Sequence, residues 1–367
     1  MPLAVSDFLA QAQNLPIIDV RSPGEYGHAH IPGAVSMPLF DNEERALVGT
    51  RYKQAGKDHA VLLGLDMVGP KMSGFVRKAK KLNPEGKQVL VHCWRGGMRS
   101  GSMAWLFNTA GVQADTLAGG YKAYRNAVLA GLTQPRNLLI LGGKTGSGKT
   151  DILKQLAAQG EQIIDLEGLA HHKGSSYGAI GQLPQPSSEM FENLIYDKWR
   201  RLDRNDRSPG AGPPSRRIWL EDESRNVGSC FIAPPLWTQM RAATVAFVDV
   251  PKAVRVERLV REYTGIDHAL LVAATERIRK RLGGQATKDC LAALAQQDYA
   301  IVANITLDYY DKAYLHGLSL RDPASVYPIA IEQDSPAETA QRLIAWADAQ
   351  AEKNVVPVEL QAGETRQ

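Results

Sequence analysis

Two loops of the phosphate-binding type occur in this chain, and each comes directly after a short apolar run. The runs at residues 88–91 and 138–141 have the length of buried strands, and helical spacing of apolar residues follows both loops. A strand, a loop and a helix in this order place the loop at the carboxyl end of the strand, where open parallel sheets bind ligands. The pattern therefore predicts two α/β units, each with its own anion site.

Strand and helix patterns alternate along most of the chain. The strand candidates are residues 15–20, 88–91, 138–141, 162–166, 217–222 and 244–250, and the helix candidates include 71–82, 100–110 and the segment after Lys149. Such alternation favours parallel sheets with crossover helices, so the predicted fold class is α/β. A chain of 367 residues has room for two domains. We predict domains at 1–133 and 134–354, divided near Pro135. We also predict a disordered tail at 355–367, where apolar residues show neither a helical nor a strand period.

The first loop combines a cysteine with basic residues and glycines. It reads His92-Cys93-Trp94-Arg95-Gly96-Gly97-Met98-Arg99-Ser100. A thiol reacts as the thiolate, and its pKa falls at a helix N-terminus or beside arginine. Glycines let backbone N–H groups turn toward an anion. The predicted roles are a nucleophile for Cys93, catalytic anion contacts for Arg95 and Arg99, and an anion loop completed by Trp94, Gly96, Gly97 and Met98.

The second loop fits the P-loop pattern Gly-x4-Gly-Lys-Thr, with a strand before it and a helix after it. Its phosphate-binding residues are Gly143, Lys144, Thr145, Gly146, Ser147, Gly148, Lys149 and Thr150. Backbone N–H groups and the helix N-terminus stabilise phosphate oxygens, Lys149 bridges them, and the Thr150 hydroxyl is a Mg²⁺ ligand. Asp222 is the first candidate for the acid that completes a Mg²⁺ site, with Asp165 and Asp249 as rivals.

Polar side chains also follow two other strand candidates, in the runs 165–178 and 221–225. The carboxyl ends of parallel strands bind ligands, so these runs are candidates for contact with RNA or another substrate. The residues concerned are Asp165, Glu167, His171, Lys173, Ser175, Ser176 and Arg225. The adjacent histidines at 171 and 172 lack a matching set of metal ligands.

The composition limits the class of protein. Three cysteines are too few for a disulfide framework or a four-cysteine zinc site. No apolar run reaches the roughly 20 residues that a membrane span needs, and residues 1–14 lack a secretory pattern, so we expect a cytoplasmic protein with no membrane partner. The net charge is +4, and arginines cluster in the second half. Solvated helix faces and a bound phosphate backbone both explain that cluster.

Four motifs in order resemble the rhodanese sulfurtransferase family. They are Asp19-Val20-Arg21-Ser22-Pro23-Gly24-Glu25-Tyr26, then His30-Ile31-Pro32-Gly33-Ala34, the Cys93 loop, and Gly119-Gly120-Tyr121-Lys122-Ala123-Tyr124. The resemblance implies an N-terminal rhodanese-like domain with a parallel sheet, joined to a C-terminal P-loop NTPase-like α/β domain. The spacing from Cys93 to Arg99 is one residue longer than in the usual sulfurtransferase loop. It equals the spacing in the dual-specificity phosphatases related to this fold.

The order of the domains, the Cys93 loop and the runs 165–178 and 221–225 together resemble the tRNA 2-selenouridine synthase family over nearly the whole chain. The resemblance implies a transferase that converts 2-thiouridine at the tRNA wobble position to 2-selenouridine. It implies selenophosphate as selenium donor, geranyl diphosphate as co-substrate, and S-geranyl-2-thiouridine as intermediate. From it we expect S-selanylcysteine at Cys93, Mg²⁺ at the P-loop, and selenophosphate synthetase as a candidate partner. Whether the P-loop binds geranyl diphosphate or ATP stays open.

Two other functions stay open on the residues alone. The longer loop could grip a phosphoryl group while Cys93 attacks phosphorus, which would make the chain a rhodanese-fold phosphatase fused to an NTPase. The general-acid candidates for that reaction are Asp19, Glu25, Asp41 and Asp115. The remaining alternative is a nucleotide-regulated sulfur carrier that acts on a protein partner.

Overall fold

The structure is a computed structural model of the chain, and it describes residues 1–205 and 216–355. These residues divide into two compact units. The first unit contains residues 1–134, 184–204 and 229–236, and the second contains the described parts of 135–183, 205–228 and 237–355. All but the first residue of the tail predicted at 355–367 lies outside the described residues.

The strands are short, as expected for α/β units. They are β1 (Pro2–Leu3), β2 (Ile17–Asp19), β3 (Val35–Ser36), β4 (Gln88–His92), β5 (Gln113–Leu117), β6 (Leu138–Gly143), β7 (Gln162–Ile164), β8 (Ile218–Glu221), β9 (Asn226–Val227), β10 (Cys230–Phe231), β11 (Thr244–Asp249) and β12 (Val326–Ala330).

Helices separate most of these strands. They are α1 (Val5–Gln11), α2 (Pro23–His28), α3 (Asn42–Ala55), α4 (Lys57–Val68), α5 (Met72–Leu82), α6 (Met98–Thr109), α7 (Gly120–Thr133), α8 (Lys149–Ala158), α9 (Leu166–Ala170), α10 (Ser188–Asn205), α11 (Pro234–Ala242), α12 (Lys252–Thr264), α13 (His268–Arg277), α14 (Arg279–Leu282), α15 (Gly284–Ala295), α16 (Tyr299–Ser319) and α17 (Pro336–Val355).

The first unit is built on a five-stranded parallel sheet in the order β1-β5-β4-β2-β3. The central strand β4 is apolar and buried at Val89 and Val91, and Phe75 of α5 and Phe107 of α6 pack in the same core. These helices bury the apolar faces that their sequence spacing predicts. The core fixes β4, so the position of the loop that follows its carboxyl end is fixed as well.

The second unit also has a five-stranded parallel sheet, in the order β12-β11-β6-β8-β7. Its central strand β6 leads into the P-loop, and α8 buries Ile152, Leu153 and Leu156 against the sheet. Strand β8 pairs with β6 so that Glu221 lies opposite Leu141. Residues that follow β7 and β8 therefore meet the P-loop at one edge of the sheet.

The predicted fold class is confirmed, because both units are α/β with parallel sheets. Each strand predicted before a loop is present, β4 at the first loop and β6 at the second. Within residues 1–205 and 216–355, no helix has both the length and the apolar character needed to cross a membrane.

Candidate active site

The Cys93 loop occupies the gap between β4 and α6 and rests on the turn that begins α7. The backbone N–H of Tyr121 donates to the Cys93 carbonyl at 2.8 Å, and that of Lys122 donates to the Trp94 carbonyl at 3.0 Å. Gly120 has a φ of +60°, and a Cβ at this residue would lie 2.4 Å from the Cys93 carbonyl oxygen. A side chain there would displace the loop, which explains the glycine pair in the motif at 119–124.

The thiol of Cys93 is only 3% exposed and lies at the base of the loop. Its Sγ is 3.2 Å from Ser100 Oγ. Burial alone would raise the pKa of Cys93, but hydrogen bonds from the Ser100 hydroxyl and from the backbone N–H groups of Ser100, Arg95 and Gly97 outweigh it, so the pKa is lowered. Hydrogen bonds that favour the thiolate make this cysteine a better nucleophile than an ordinary buried thiol.

The two arginines of the loop take different positions. Arg95 is exposed, and its backbone N–H supports the thiolate. Arg99 instead donates from Nη1 to Glu25 Oε2 at 2.8 Å and from Nη2 to Glu25 Oε1 at 3.4 Å. Burial opposes ionisation of Glu25, but the hydrogen bond from Arg99 holds its pKa below the usual value. The positive charge of Arg99 is thus paired with the negative charge of Glu25, which lies 74 positions earlier in the sequence.

A buried polar layer supports the loop from below. Arg21 forms an ion pair with Asp19 at 2.6 Å and stacks its guanidinium 3.8 Å from the centre of the Tyr121 ring. The Tyr121 hydroxyl donates to Glu189 Oε1 and accepts from the Asn193 side chain, each at 2.8 Å. Helix α10 thereby contributes to the first site, although it lies far along the chain from Cys93.

An open polar pocket of about 510 Å³ lies beside this loop. Its lining combines acidic and basic side chains with an indole, and includes Arg21, Glu25, Arg45, Trp94 and Glu189. Trp94 is 37% exposed and Met98 is 59% exposed, so both loop residues are accessible to a ligand. Of these residues, Arg45 and Glu189 carried no signal in the sequence, because their contribution depends on contacts distant along the chain.

The P-loop forms one end of a second pocket, of about 380 Å³. Gly148, with a φ of +77°, is the N-cap of α8, whose first residue is Lys149. The Lys149 ammonium donates to the Gly143 carbonyl at 2.9 Å, and Lys144 pairs with Asp249 at 3.0 Å. Backbone N–H groups at the start of α8 together with Lys149 suit the oxygens of a diphosphate or triphosphate.

Two glutamates face the P-loop from neighbouring strand ends. The Thr150 hydroxyl donates to Glu167 Oε2 at 2.7 Å. Gly174 lies against both carboxylates, since a Cβ there would be 2.8 Å from Glu167 Oε1 and 2.9 Å from Glu223 Oε2. Burial first, and then repulsion from Glu167, raise the pKa of Glu223 to about 8, although the charge of Lys149 opposes the rise.

These oxygens suit Mg²⁺, which proteins usually hold with one or two carboxylates and the phosphates of the substrate. In the described residues, no cluster of three or more His, Cys, Asp or Glu side chains is arranged to hold a metal. Asp222, the first candidate from the sequence, accepts from Arg321 at 2.6 Å and from the Tyr314 hydroxyl at 3.0 Å through its two different oxygens. Thr150, Glu167 and Glu223 are therefore better placed to hold the ion than Asp222.

The other residues predicted to contact substrate are not all brought to this pocket, because Asp165, His171, Ser176 and Arg225 are absent from its lining. Asp165 accepts from the Gly168 N–H at 2.6 Å and caps α9, and the Ser176 N–H donates to the Tyr310 hydroxyl at 3.1 Å. Lys173 and Ser175 line the pocket, and Lys173 lies 3.6 Å from Glu262. His171, with a φ of +52°, ends α9, and Arg225 is exposed.

One wall of the P-loop pocket is apolar and aromatic. It is formed by Tyr177, Ile180, Leu259, Tyr263, Ile266 and Tyr310. Tyr177 and Tyr263 pack with their ring centres 5.4 Å apart, and both belong to the core of the second unit. A ligand with a phosphate head and an apolar body matches this combination of surfaces.

Comparisons with known proteins agree with both halves of the chain. A model described as the tRNA 2-selenouridine synthase AAA domain matches residues 136–333, and a rhodanese-like domain model matches residues 4–127. The tRNA 2-selenouridine synthase of Nitrosomonas europaea is 35% identical over 257 residues, which are 68% of this chain but only 63% of that protein, so the match spans less than two thirds of its length. The synthase of Aeromonas salmonicida is 33% identical over 345 residues, 83% of this chain and 88% of that protein.

Among solved structures, the N-terminal domain of a putative ATP/GTP binding protein from Clostridium difficile 630 is 41% identical, with a TM-score of 0.34. The match covers 35% of this chain and 99% of that domain.

Proposed function

The chain belongs to the tRNA 2-selenouridine synthase family, and from that premise we propose that it is a transferase that replaces the 2-sulfur of a tRNA wobble uridine with selenium. The observation that carries the proposal is the presence of two anion sites of different chemistry. One holds a thiol whose pKa is lowered, and the other is a P-loop pocket with an apolar wall. A prenyl diphosphate fits the second site, and a chalcogen bonded to phosphate fits the first.

The first step that we propose takes place at the P-loop. The 2-sulfur of the uridine attacks carbon 1 of geranyl diphosphate, a carbon–sulfur bond forms, the carbon–oxygen bond breaks, and diphosphate leaves. Lys149 and the backbone N–H groups of the loop hold the departing diphosphate, and the apolar wall that includes Tyr263 and Ile266 holds the chain. Mg²⁺ held by Thr150, Glu167 and Glu223 would neutralise charge on the phosphate oxygens.

The second step that we propose exchanges the alkylated sulfur for selenium at carbon 2. The carbon–sulfur bond to carbon 2 breaks, a carbon–selenium bond forms, water cleaves the selenium–phosphorus bond, and geranyl thiol and phosphate leave. Alkylation helps because an alkyl thiolate is a better leaving group than the sulfur of a thiocarbonyl. The exchange as a whole needs no oxidant or reductant.

An S-selanylcysteine at Cys93 adds a redox requirement to this scheme. Its sulfur–selenium bond is two electrons more oxidised than a thiol and a selenide, so loading Cys93 from selenophosphate with release of phosphate consumes one disulfide. Discharge of selenium to carbon 2 then requires two thiols and restores that disulfide. We propose a low-molecular-weight thiol–disulfide pair as the co-reactant, acting by ordinary thiol–disulfide exchange.

The macromolecular substrate in this proposal is a tRNA with 2-thiouridine at the wobble position, and the reaction belongs in the cytoplasm. Selenophosphate synthetase is the candidate partner that would deliver the selenium donor. Lys173, Ser175 and Arg225 lie on the run 165–178 and the run 221–225, and we propose that these runs contact RNA.

Mass spectrometry of nucleosides tests both steps together. A 2-thiouridine anticodon stem-loop incubated with the protein, geranyl diphosphate, selenophosphate and a glutathione thiol–disulfide pair should yield S-geranyl-2-thiouridine and then 2-selenouridine. Cys93→Ser should stop selenium entry and leave prenylation intact. Loss of both products in Cys93→Ser would argue for one shared site, and cleavage of an aryl phosphate that depends on Cys93 would favour the phosphatase alternative.

A further inference from the structure

An apolar groove of about 220 Å³ runs along the first unit next to the Cys93 loop. Leu39, Phe40, Ala60 and Gly64 are its buried lining residues. Its more accessible lining residues are Val48 and Tyr52 of α3, Val61, Leu65 and Val68 of α4, and Met98 and Ser102 of α6. Among the residues that the structure describes, the charged side chains in the lining are Lys57 and Arg99.

Large apolar side chains around the groove are exposed to solvent, whereas those of a core are buried. Leu65 is 61% exposed, Met98 is 59% exposed and Tyr52 is 58% exposed. Three large apolar side chains around one cleft mark a binding surface more often than scattered surface residues do. A Cβ on Gly64 would lie 3.2 Å from the ring of Phe40, so glycine keeps α4 close to the groove's buried lining.

The groove adjoins the loop that holds the thiol. Met98, Arg99 and Ser102 line it, and Ser100, between them on α6, contacts the thiol of Cys93. Leu39 and Phe40 belong to the same apolar cluster as Cys93. Arg99 also bonds Glu25, which lines the polar pocket. This ion pair joins the lining of the groove to the lining of the polar pocket.

We propose that the groove binds the aliphatic chain carried on the 2-sulfur of the uridine while Cys93 delivers selenium. This inference rests on the proposed function, because it assumes that the RNA reaches Cys93 in its S-alkylated form. The volume is below the roughly 300–1,000 Å³ of pockets for drug-sized ligands, which suits a short chain better than a whole nucleotide. The chain enters the second step as the leaving group, so holding it orients carbon 2 toward the selenium.

The groove also gives the enzyme a means of selecting its substrate. Each methylene that leaves water for an apolar site adds about fourfold to affinity. An S-geranyl uridine should therefore be used in preference to an S-methyl uridine, and a uridine with free 2-sulfur should gain nothing from the groove. Selenium would then enter only RNA that has already been prenylated.

Two synthetic stem-loops test the inference without the prenylation step, one with S-geranyl-2-thiouridine and one with S-methyl-2-thiouridine. With selenophosphate and a glutathione thiol–disulfide pair, we expect the full-length protein to form 2-selenouridine from the geranyl substrate with a kcat/KM at least about 10-fold higher than from the methyl substrate. Leu65→Asp should lower kcat/KM for the geranyl substrate by about 10-fold or more and leave the methyl substrate unchanged. Val61→Phe, which fills the groove without adding charge, should have the same selective effect.

Leu62→Asp is the matched control, because Leu62 lies on α4 and is 63% exposed but does not line the groove. It should keep the preference for the geranyl substrate. Equal use of both substrates by the unmodified protein, or an unchanged preference in both groove variants, would overturn this inference and leave the proposed function standing. Conversion of neither substrate would overturn the proposed function and the inference with it.

Discussion

The Ser100 hydroxyl lies 3.2 Å from the Cys93 thiol. Ser100 follows Cys93 by seven positions and lies in the first turn of α6. A residue of the helix that follows the loop therefore lowers the pKa of the thiol through a hydrogen bond. The serine also lies 3.2 Å from the Gly97 carbonyl, so its position is set by the loop itself. The loop therefore carries its own means of stabilising a thiolate, in addition to any charge from arginine.

Ser100→Ala should raise the pKa of Cys93 and slow its alkylation at neutral pH. The hydrogen bond from the Ser100 hydroxyl is the largest of the contacts that lower the pKa of Cys93, so its loss should move that pKa upward. The measurement is the rate of iodoacetamide modification of Cys93 against pH. Ser102→Ala, at an exposed serine of the same helix, should leave the profile unchanged.

Glu25→Gln should weaken the link between α2 and α6. Because the Arg99 hydrogen bond keeps the pKa of Glu25 below its usual value, ionised Glu25 stabilises the fold above the unfolded-state pKa, and this stabilisation disappears as pH falls through the lowered pKa. We expect a loss of about 1 kcal/mol at neutral pH and no difference at strongly acidic pH. Urea unfolding across pH measures it, with Glu85→Gln, at an exposed carboxylate, as control.

The loops and their strands could be predicted from the sequence, because an apolar run, a glycine-rich loop and a helical period are local signals. Strand β12 was not predicted. It contains Pro328, and proline within a run argues against a central strand. The structure explains this exception, since β12 lies at the edge of its sheet beside β11, where one missing N–H is tolerated.

The partners of the site residues could not be predicted, because they depend on tertiary contacts. Asp222 follows β8 in the sequence as a Mg²⁺ ligand would, yet Arg321, far along the chain, occupies one of its oxygens. Successive side chains near a strand end point to opposite sides, and the sequence does not indicate which side faces the P-loop. The role of Glu189 beneath Tyr121 depends in the same way on the packing of α10.

Glu223→Gln should stabilise the protein at alkaline pH in metal-free buffer. Burial and Glu167 raise the pKa of Glu223 to about 8, so the protonated form is favoured in the fold. Linkage gives the sign of the effect. The stabilisation that protonated Glu223 gives the folded protein is fully present below the unfolded-state pKa, near 4.5, and is lost as pH rises through about 8. The thermal midpoint of the variant should exceed that of the parent at pH 9 and match it at pH 4, and an identical midpoint at pH 9 would contradict the prediction.

Lys149→Ala should abolish prenylation and leave conversion of a preformed S-geranyl substrate intact, because only the first step uses the diphosphate. Geranyl diphosphate should also displace a fluorescent nucleotide analogue from the parent protein in a titration. Lys288→Ala is the control, since Lys288 lies on α15, is exposed and does not line the P-loop pocket. Nucleotide binding that geranyl diphosphate leaves undisturbed would argue that the P-loop serves a nucleotide instead.

Loading of selenium on Cys93 should depend on a disulfide. Intact-mass analysis after incubation with selenophosphate and oxidised glutathione should show a gain of one selenium atom, which reduced glutathione removes and Cys93→Ser never acquires. Cys230 and Cys290 serve as internal controls, because burial raises the pKa of each thiol to about 11 and favours the unreactive protonated form. If 2-selenouridine forms at full rate under strictly reducing conditions with no selenium on Cys93, selenium must pass directly from selenophosphate to carbon 2. The thiolate would then act by holding or orienting the donor, and Ser100→Ala should still slow the second step.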